Sequence, residues 1–475
     1  MAAMARRTKI VATVGPATWA PDVLVELIAA GTDVLRLNFS HSEEDRLRGT
    51  IGDIREAAQK VGREVAILGD LPGPKLRVGE LKGDLIELNT GQHTTLTSDD
   101  EPGDANRIPV SWPDLEEGLE PDDLVYMADG AIRLRVVEPE ETGVECEVEV
   151  GGTLSSHKGV NLPGADTPLP AVDDHDLDWV DFAVREGVDL LAVSFVRRAA
   201  DLEPVAKRLA ELESDIPLIA KIEKPQAAEN AEEIVAAATG GLMVARGDLG
   251  IELPLARVPI VQKGLIRLAG QKSKPSITAT QMLASMVNSA RPTRAEVTDV
   301  ANAIYDGTDA VMLSEETAVG KHPIEAVRVM DRIACETEPD LPYWDWLFNR
   351  TNQSSQDVAD TVAQGAVGSV YRLGLAALVV PTTSGRTARL VSAHRPKVPV
   401  LAMSSRPETV RRLNLLFGVK AVYSEMRDDI RDLLDDCARL AKEHGVAGSG
   451  DLIGVTAGLP RQELGTNLFE VHRVP

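Results

Sequence analysis

The sequence is poor in aromatic residues: phenylalanine, tryptophan and tyrosine make up 3% of 475 residues, against 43% apolar residues overall. Its cores must therefore be built from valine, leucine, isoleucine and alanine. Positive charge is also in deficit. Fifty lysines and arginines face 74 acidic residues, a formal charge of −24. That balance argues against a nucleic-acid binder or a protein drawn to anionic membranes, and leaves room for local basic pockets. Cysteine is scarce. Cys146, Cys335 and Cys437 are far apart and odd in number, with no CxxC or Cys/His spacing, so no zinc site is expected and a reduced cytoplasm fits. No stretch of ~18 apolar residues occurs, and the opening MAAMARRTKI has no apolar signal-peptide core. Neither a membrane span nor a secretion signal is expected.

What the chain does have is a recurrent short apolar run. KIVATVG (9–15), VLRLNFS (34–40), VAILGDL (65–71), LLAVSFV (190–196), PLIAKIE (217–223), GLMVARGD (241–248), KPSITATQ (274–281) and DAVMLSEET (309–317) read as strands. Amphipathic helix patterns such as APDVLVELIAAG and AENAEEIVAAAT separate most of them. Strands alternating with helices imply a parallel sheet with right-handed crossovers, and eight units are the number that closes a (β/α)8 barrel. One connection is too long. Between the third and fourth runs the texture changes to short strands with Gly and Asp turns, which reads as a small inserted β domain, a β-barrel lid. LPGP (71–74) leads in and GVNLPG (159–164) leads out, as hinges or as rigid turns. After PYWDWLFNR (342–350) a further helix-and-strand pattern reads as a C-terminal α/β domain with an open sheet. The expected division is 1–71 with 160–343 for the barrel, 72–159 for the lid, and 344–475 for the C-terminal domain.

Barrel chemistry sits at the C-terminal ends of the strands. Polar residues gather there: Arg36, Asn38, Ser40 and His41 after the second run, Asp70 at the third, Ser194 and Arg197 at the fourth, Lys221 and Glu223 at the fifth, Arg246, Gly247 and Asp248 at the sixth, Thr278, Thr280 and Gln281 at the seventh, Ser314 and Glu315 at the eighth. Arg36, Asn38 and Ser40 share a face by period two, as do Lys221 and Glu223. A Lys/Glu pair near a strand end also fits a plain salt bridge, and Arg197 and Arg246 also fit structural ion pairs. Taken together, the cluster points further. Glu223 and Asp248 lie on adjacent strands, and two carboxylates completed by substrate oxygens suit Mg²⁺ or Mn²⁺. Arg36 and Lys221 beside such an ion suit a phosphoryl group. RGDLG adds backbone N–H groups entering a helix, an anion seat.

In the C-terminal region PTTSGRT (381–387) follows an apolar run and precedes a helix. The Thr382, Thr383, Ser384 and Thr387 hydroxyls with the amides of Gly385 and Arg386 form a phosphate cradle; helix capping accounts for one or two of the hydroxyls. The neighbouring TAGLPRQELGTN offers Arg461 as its basic residue.

RLNFSH, GPKLR, KGVNLPG, AKIEKPQAAEN, MVARGDLGIELP, TATQMLASM, TDVANAIYDGTDAVMLSEETA and the closing GTNLFEVH, in this order and spacing, resemble the pyruvate kinase family essentially end to end. The resemblance implies phosphoryl transfer between phosphoenolpyruvate and ADP, giving pyruvate and ATP, the last step of glycolysis, in a cytoplasmic homotetramer. By resemblance Lys221 contacts the phosphoryl group in flight and Arg36 spans it, while Glu223 and Asp248 hold the catalytic Mg²⁺ and a second Mg²⁺ arrives with the nucleotide. The amides of Gly247 and Asp248 with the Thr280 hydroxyl seat the substrate carboxylate, and Thr280 organises water that protonates the enolate. Asn38, His41, Arg77 and Lys158 match nucleotide or lid positions. The 382–387 loop holds the phosphate of an allosteric effector, a sugar phosphate or AMP. A K⁺ site would use Asn38, Ser40, Asp70 and the Leu71 carbonyl, but Lys75 stands where potassium-dependent members have glutamate, and members with lysine there work without K⁺. Two other readings remain: a barrel enzyme using the same metal and lysine with another acceptor for phosphoenolpyruvate or a related enolate, and a catalytically silent metabolite sensor.

Overall fold

A computed structural model describes residues 6–41, 43–73, 76–112, 115–128, 130–140, 143–163, 170–351, 357–427, 429–458 and 465–475. The eight apolar runs form eight parallel strands: β1 Lys9–Thr13, β2 Val34–Asn38, β3 Ala66–Asp70, β4 Leu190–Val193, β5 Leu218–Ile222, β6 Gly241–Ala245, β7 Ser276–Ala279 and β8 Ala310–Leu313. Each pairs with its sequence neighbours, and β1 pairs with both β2 and β8, so the sheet closes into a barrel. The strands are shorter than the apolar runs, because the polar residues at their C-terminal ends leave the ladder to form turns.

Two layers of packing hold the barrel. One set of alternate strand residues, among them Val11, Leu68, Ile219, Met243 and Met312, fills the interior. The other set, with Ile10, Leu35, Ile67 and Leu218, packs against the surrounding helices. Three of the few aromatics form a cluster: Phe39 stacks on Trp179 at 4.8 Å between ring centroids, and Phe182 meets both edge-on.

The inserted domain has its own core around Val78, Leu96, Trp112, Leu134 and Val148. Among the described residues its strands pair as a six-stranded sheet and a separate two-stranded ribbon, Leu85–Leu88 with Gly152–Ser155, rather than as one continuously paired barrel. The C-terminal sheet comprises β9 Ala377–Pro381, β10 Val400–Ser404, β11 Val419–Tyr423, β12 Leu452–Ala457 and β13 Leu468–Arg473, in the order 11-10-9-12-13. Only the last pair is antiparallel.

This third domain docks on the underside of the barrel, opposite the strand ends that carry the polar cluster. Leu415 joins the barrel's interior core from below. Arg395 grips both oxygens of Asp309 at 2.8 and 2.9 Å, and the Lys9 ammonium donates to the Val419 carbonyl at 2.7 Å. Among the described residues no helix is long and apolar enough to cross a membrane.

Candidate active site

The barrel mouth opens into a cleft of about 980 Å³ lined by Arg36, Asp70, Lys221, Glu223, Asp248 and Thr280, with Leu124, Tyr126 and Gly130 of the inserted domain on its far wall. β5 delivers Lys221 there because its side chain alternates with the buried Ala220 and Ile222. Its ammonium lies 3.0 Å from the Glu223 carboxylate and 3.2 Å from that of Asp70, and donates to the Ser194 hydroxyl at 2.8 Å. Burial alone would drive the lysine pKa down; Asp70 and Glu223 overcome it and hold the group above its ordinary value, so Lys221 is a fixed cation.

Asp70 ties the cluster together. One oxygen faces Lys221, and the other accepts from Arg36 Nε at 2.6 Å. Burial opposes its ionisation, but Lys221 and Arg36 win and depress its pKa. Glu223 stands just past the end of β5. Its second oxygen accepts the Phe195 amide at 2.8 Å. Burial raises its pKa, Lys221 works against that, and the nearby Asp248 raises it further. A divalent cation would remove that like-charge cost, and two carboxylates are hard oxygen donors, so the residues present fit Mg²⁺ or Mn²⁺.

Thr280 is held in an unusual way. Its φ is +67° and that of Gln281 is +55°, in the left-handed region that a β-branched residue avoids. The turn brings the Thr280 hydroxyl to the mouth of the barrel, where it accepts the Gly247 amide at 2.7 Å and donates to the Ala279 carbonyl at 2.6 Å. Gly247 and Asp248 lie in the first turn of the helix Arg246–Glu252.

The structure therefore brings Arg36, Asp70, Lys221, Glu223, Gly247, Asp248 and Thr280 together. Other expected residues fall elsewhere. Ser40 does not share a strand face with Arg36 and Asn38: β2 ends at Asn38, the chain turns through a 3-10 helix at Phe39–His41, and Ser40 is exposed, its amide donating to Asn38 Oδ1 at 3.1 Å. The Leu71 carbonyl accepts the Ser194 hydroxyl at 2.7 Å. Asn38, Arg77 and Lys158 do not line the cleft. Arg77 pairs across the domain joint with Gly159, and its guanidinium donates to the His157 carbonyl at 3.2 Å. Lys75 and Arg461 lie outside the described residues. Thr278 is fully buried and donates to Thr308 at 3.0 Å. Arg246 braces the site, bonded to the Ala279 and Thr280 carbonyls and paired with Asp299 at 2.8 Å. Arg197 pairs with Asp201.

Sequence reasoning missed Glu252, a buried carboxylate paired with Lys224 on the cleft wall, and the lid residue Tyr126. The spacing of Lys224 and Glu252 carries no signal, and Tyr126 depends on how one domain meets another.

A family model described as the pyruvate kinase barrel domain matches residues 5–327, and one described as the pyruvate kinase alpha/beta domain matches residues 360–472. The chain belongs to the pyruvate kinase family. It is 43% identical over 473 residues to a pyruvate kinase from Geobacillus stearothermophilus, covering 99% of this chain and 80% of the relative. It is 41% identical over 476 residues to one from Thermococcus litoralis, covering 99% of both. The crystal structure of a pyruvate kinase from Cryptosporidium parvum superposes with a TM-score of 0.95 at 36% identity, covering 99% of this chain and 96% of that one. This family membership makes the chain a phosphotransferase enzyme, and its barrel, inserted domain and C-terminal domain are those of a pyruvate kinase.

Proposed function

We propose that this chain transfers the phosphoryl group between phosphoenolpyruvate and ADP, giving pyruvate and ATP, at the cleft built on Lys221. The observation that carries the reading is the cluster at the barrel mouth: a buried lysine kept charged by Asp70 and Glu223, beside Arg36, with a second carboxylate, Asp248, on the same cleft.

Phosphoryl transfer asks for positioning and charge compensation more than for covalent help. Lys221 supplies a cation that needs no proton at neutral pH, and its three anchors fix where it points. Arg36, oriented by Asp70 and by Thr13 at 3.1 Å, grips a phosphoryl oxygen from another side. Glu223 and Asp248 would hold a divalent ion, which when bound would neutralise charge on substrate oxygens. On substrate binding the Gly247 amide gives up its bond to Thr280 and the Thr280 hydroxyl its bond to the Ala279 carbonyl, and with the Asp248 amide they seat the substrate carboxylate; Thr280 also orders the water that delivers a proton to the enolate. The inserted domain reaches the cleft through Tyr126 and limits water there. Asn38, His41, Arg77 and Lys158 serve the nucleotide.

The further assignments extend this reading. Domain limits of 1–71 with 160–343, 72–159 and 344–475 separate catalysis, lid and regulation. K⁺ is not required, because Lys75 supplies the charge the ion would bring. A sugar phosphate or AMP binds the 382–387 loop and regulates a cytoplasmic homotetramer. In that loop the Thr382 hydroxyl accepts the Gly385 amide and the Thr387 hydroxyl pairs with Thr466, which leaves Thr383 and Ser384 as the exposed hydroxyls.

The test is an assay of ATP and pyruvate formation from phosphoenolpyruvate, ADP and Mg²⁺. Formation of both in equal amounts is expected. Consumption of phosphoenolpyruvate without ATP would point to another acceptor, and no consumption to a silent sensor.

A further inference from the structure

Ser194 lies just past the end of β4, and its hydroxyl joins two parts of the molecule. It donates its one proton to the Leu71 carbonyl at 2.7 Å, which leaves a lone pair for Lys221, whose ammonium donates to it at 2.8 Å. Asp70 lies farther from the hydroxyl, at 3.4 Å. Ser194 is buried, so a bond lost there is not remade to water.

Leu71 begins the joint through which the chain enters the inserted domain. Gly73, in the same joint, is fixed on both sides. Its amide donates to Asp176 at 3.0 Å, and a Cβ on it would lie 2.9 Å from the Phe195 ring and 3.0 Å from the Ser194 Cβ. Contacts that close leave no slack, so a shift of the joint moves the turn it rests on. Phe195 is the other half of that turn. Its φ is +54°, in the left-handed region that an aromatic residue rarely takes and that persists only where the surroundings hold it. Its ring faces Gly73 while its amide donates to Glu223 at 2.8 Å.

The Lys221 ammonium has three protons, and oxygens of Asp70, Glu223 and Ser194 surround it. A phosphoryl oxygen has to take the place of one of them. The carboxylates hold the lysine and cancel part of its charge. The Ser194 hydroxyl holds it and leaves the charge whole, so it is the anchor that can stay when substrate arrives.

We propose, resting on the phosphoryl transfer assigned above, that Ser194 is a positioning residue for Lys221 and that the Ser194–Phe195 turn carries the setting of the 71–73 joint to Lys221 and Glu223. The inserted domain then acts on the reacting groups through its joint as well as by covering the cleft.

Two single variants and their combination test this in the full chain. Ser194→Ala removes the hydroxyl; Gly73→Ala presses on the turn from the joint. Turnover is followed as phosphoenolpyruvate consumption at saturating Mg²⁺. Binding of Mn²⁺ to the substrate-free chain is followed by the paramagnetic resonance of the free ion. Ser194→Ala is expected to lower kcat about tenfold or more, with KM for phosphoenolpyruvate within about threefold and Mn²⁺ affinity within about twofold of the parent. Gly73→Ala is expected to lower kcat about fivefold or more, and less than about twofold further once Ser194 is alanine, because both act through one hydroxyl. It should also weaken Mn²⁺ binding about threefold or more, through Phe195 and Glu223.

A kcat within about threefold of the parent in Ser194→Ala overturns the positioning role. A parallel loss of Mn²⁺ binding in that variant overturns it too, since Ser194 would then support the whole site and not the lysine. Gly73→Ala acting to its full extent in both backgrounds, or leaving both kcat and Mn²⁺ affinity unchanged, overturns the link to the joint. The products of the parent decide the phosphoryl-transfer reading separately. In a parent that makes ATP and pyruvate, an inert Ser194→Ala strikes this inference alone.

Discussion

The Lys221 ammonium lies 3.0 Å from Glu223 and 3.2 Å from Asp70, so one lysine is held between a carboxylate of its own strand and one from β3. The arrangement makes its charge permanent and its position rigid. Replacing it with methionine keeps an unbranched side chain one atom shorter and removes the charge. Lys221→Met is expected to lower kcat by about a thousandfold or more while the dissociation constant for phosphoenolpyruvate changes little, because the lost contact is made chiefly in the transition state. Steady-state kinetics beside direct binding measures both. A variant keeping a tenth of the parent's turnover would take Lys221 out of the mechanism.

Potassium gives a second prediction. A tethered ammonium ~4 Å from a partner is worth ~4 kcal/mol at an effective dielectric of ~20, enough to replace a loosely held ion. Turnover in tetramethylammonium buffer at matched ionic strength and saturating Mg²⁺ is expected to change less than about twofold on adding K⁺. Lys75→Glu should acquire a K⁺ requirement. Tenfold activation of the parent by K⁺ would refute the assignment.

Ser384 is exposed at the tip of the turn between β9 and the helix Arg386–Ala393. Ser384→Glu places a carboxylate where an effector phosphate would sit. The concentration of sugar phosphate or AMP needed for half-maximal activation should rise about tenfold or more, with activity in the absence of effector retained. An unchanged response would remove this loop from regulation.

Lys274 makes stability depend on pH in a defined direction. Its pKa is lowered by burial and by Arg389 from 10.5 to about 8. Between those values the unfolded chain binds more protons than the folded one, so stability rises with pH across that window. Below about pH 8 the folded chain carries the full cost of the buried charge. Lys274→Met should therefore raise Tm by about 1–3 °C at pH 7, with the gain shrinking towards pH 10. Melting curves at the two pH values check this; an equal gain at both would exclude the charge as the cause.

The sequence by itself determined the barrel and most of the residues gathered at its mouth. Strand periodicity and the placement of polar residues at strand ends are local properties, readable in a window of a few residues. That is why Lys221, Glu223, Asp248, Arg36 and Thr280 could be named from LIAKIEKPQ, ARGDLG, VLRLN and TATQ. Local pattern failed where the backbone left its period: Ser40 lies in a 3-10 turn, not on the strand face. Only the tertiary structure decided the rest. Barrel closure set Asp70 between Arg36 and Lys221, residues 34 and 151 positions away, and turned Arg246 to Asp299. Docking of the inserted domain brought Tyr126 to the cleft, and docking of the C-terminal domain set Arg389 against the Thr239 carbonyl of the barrel. Such contacts are fixed by how rigid elements meet, and the distance between two side chains across an interface is written in no single stretch of chain.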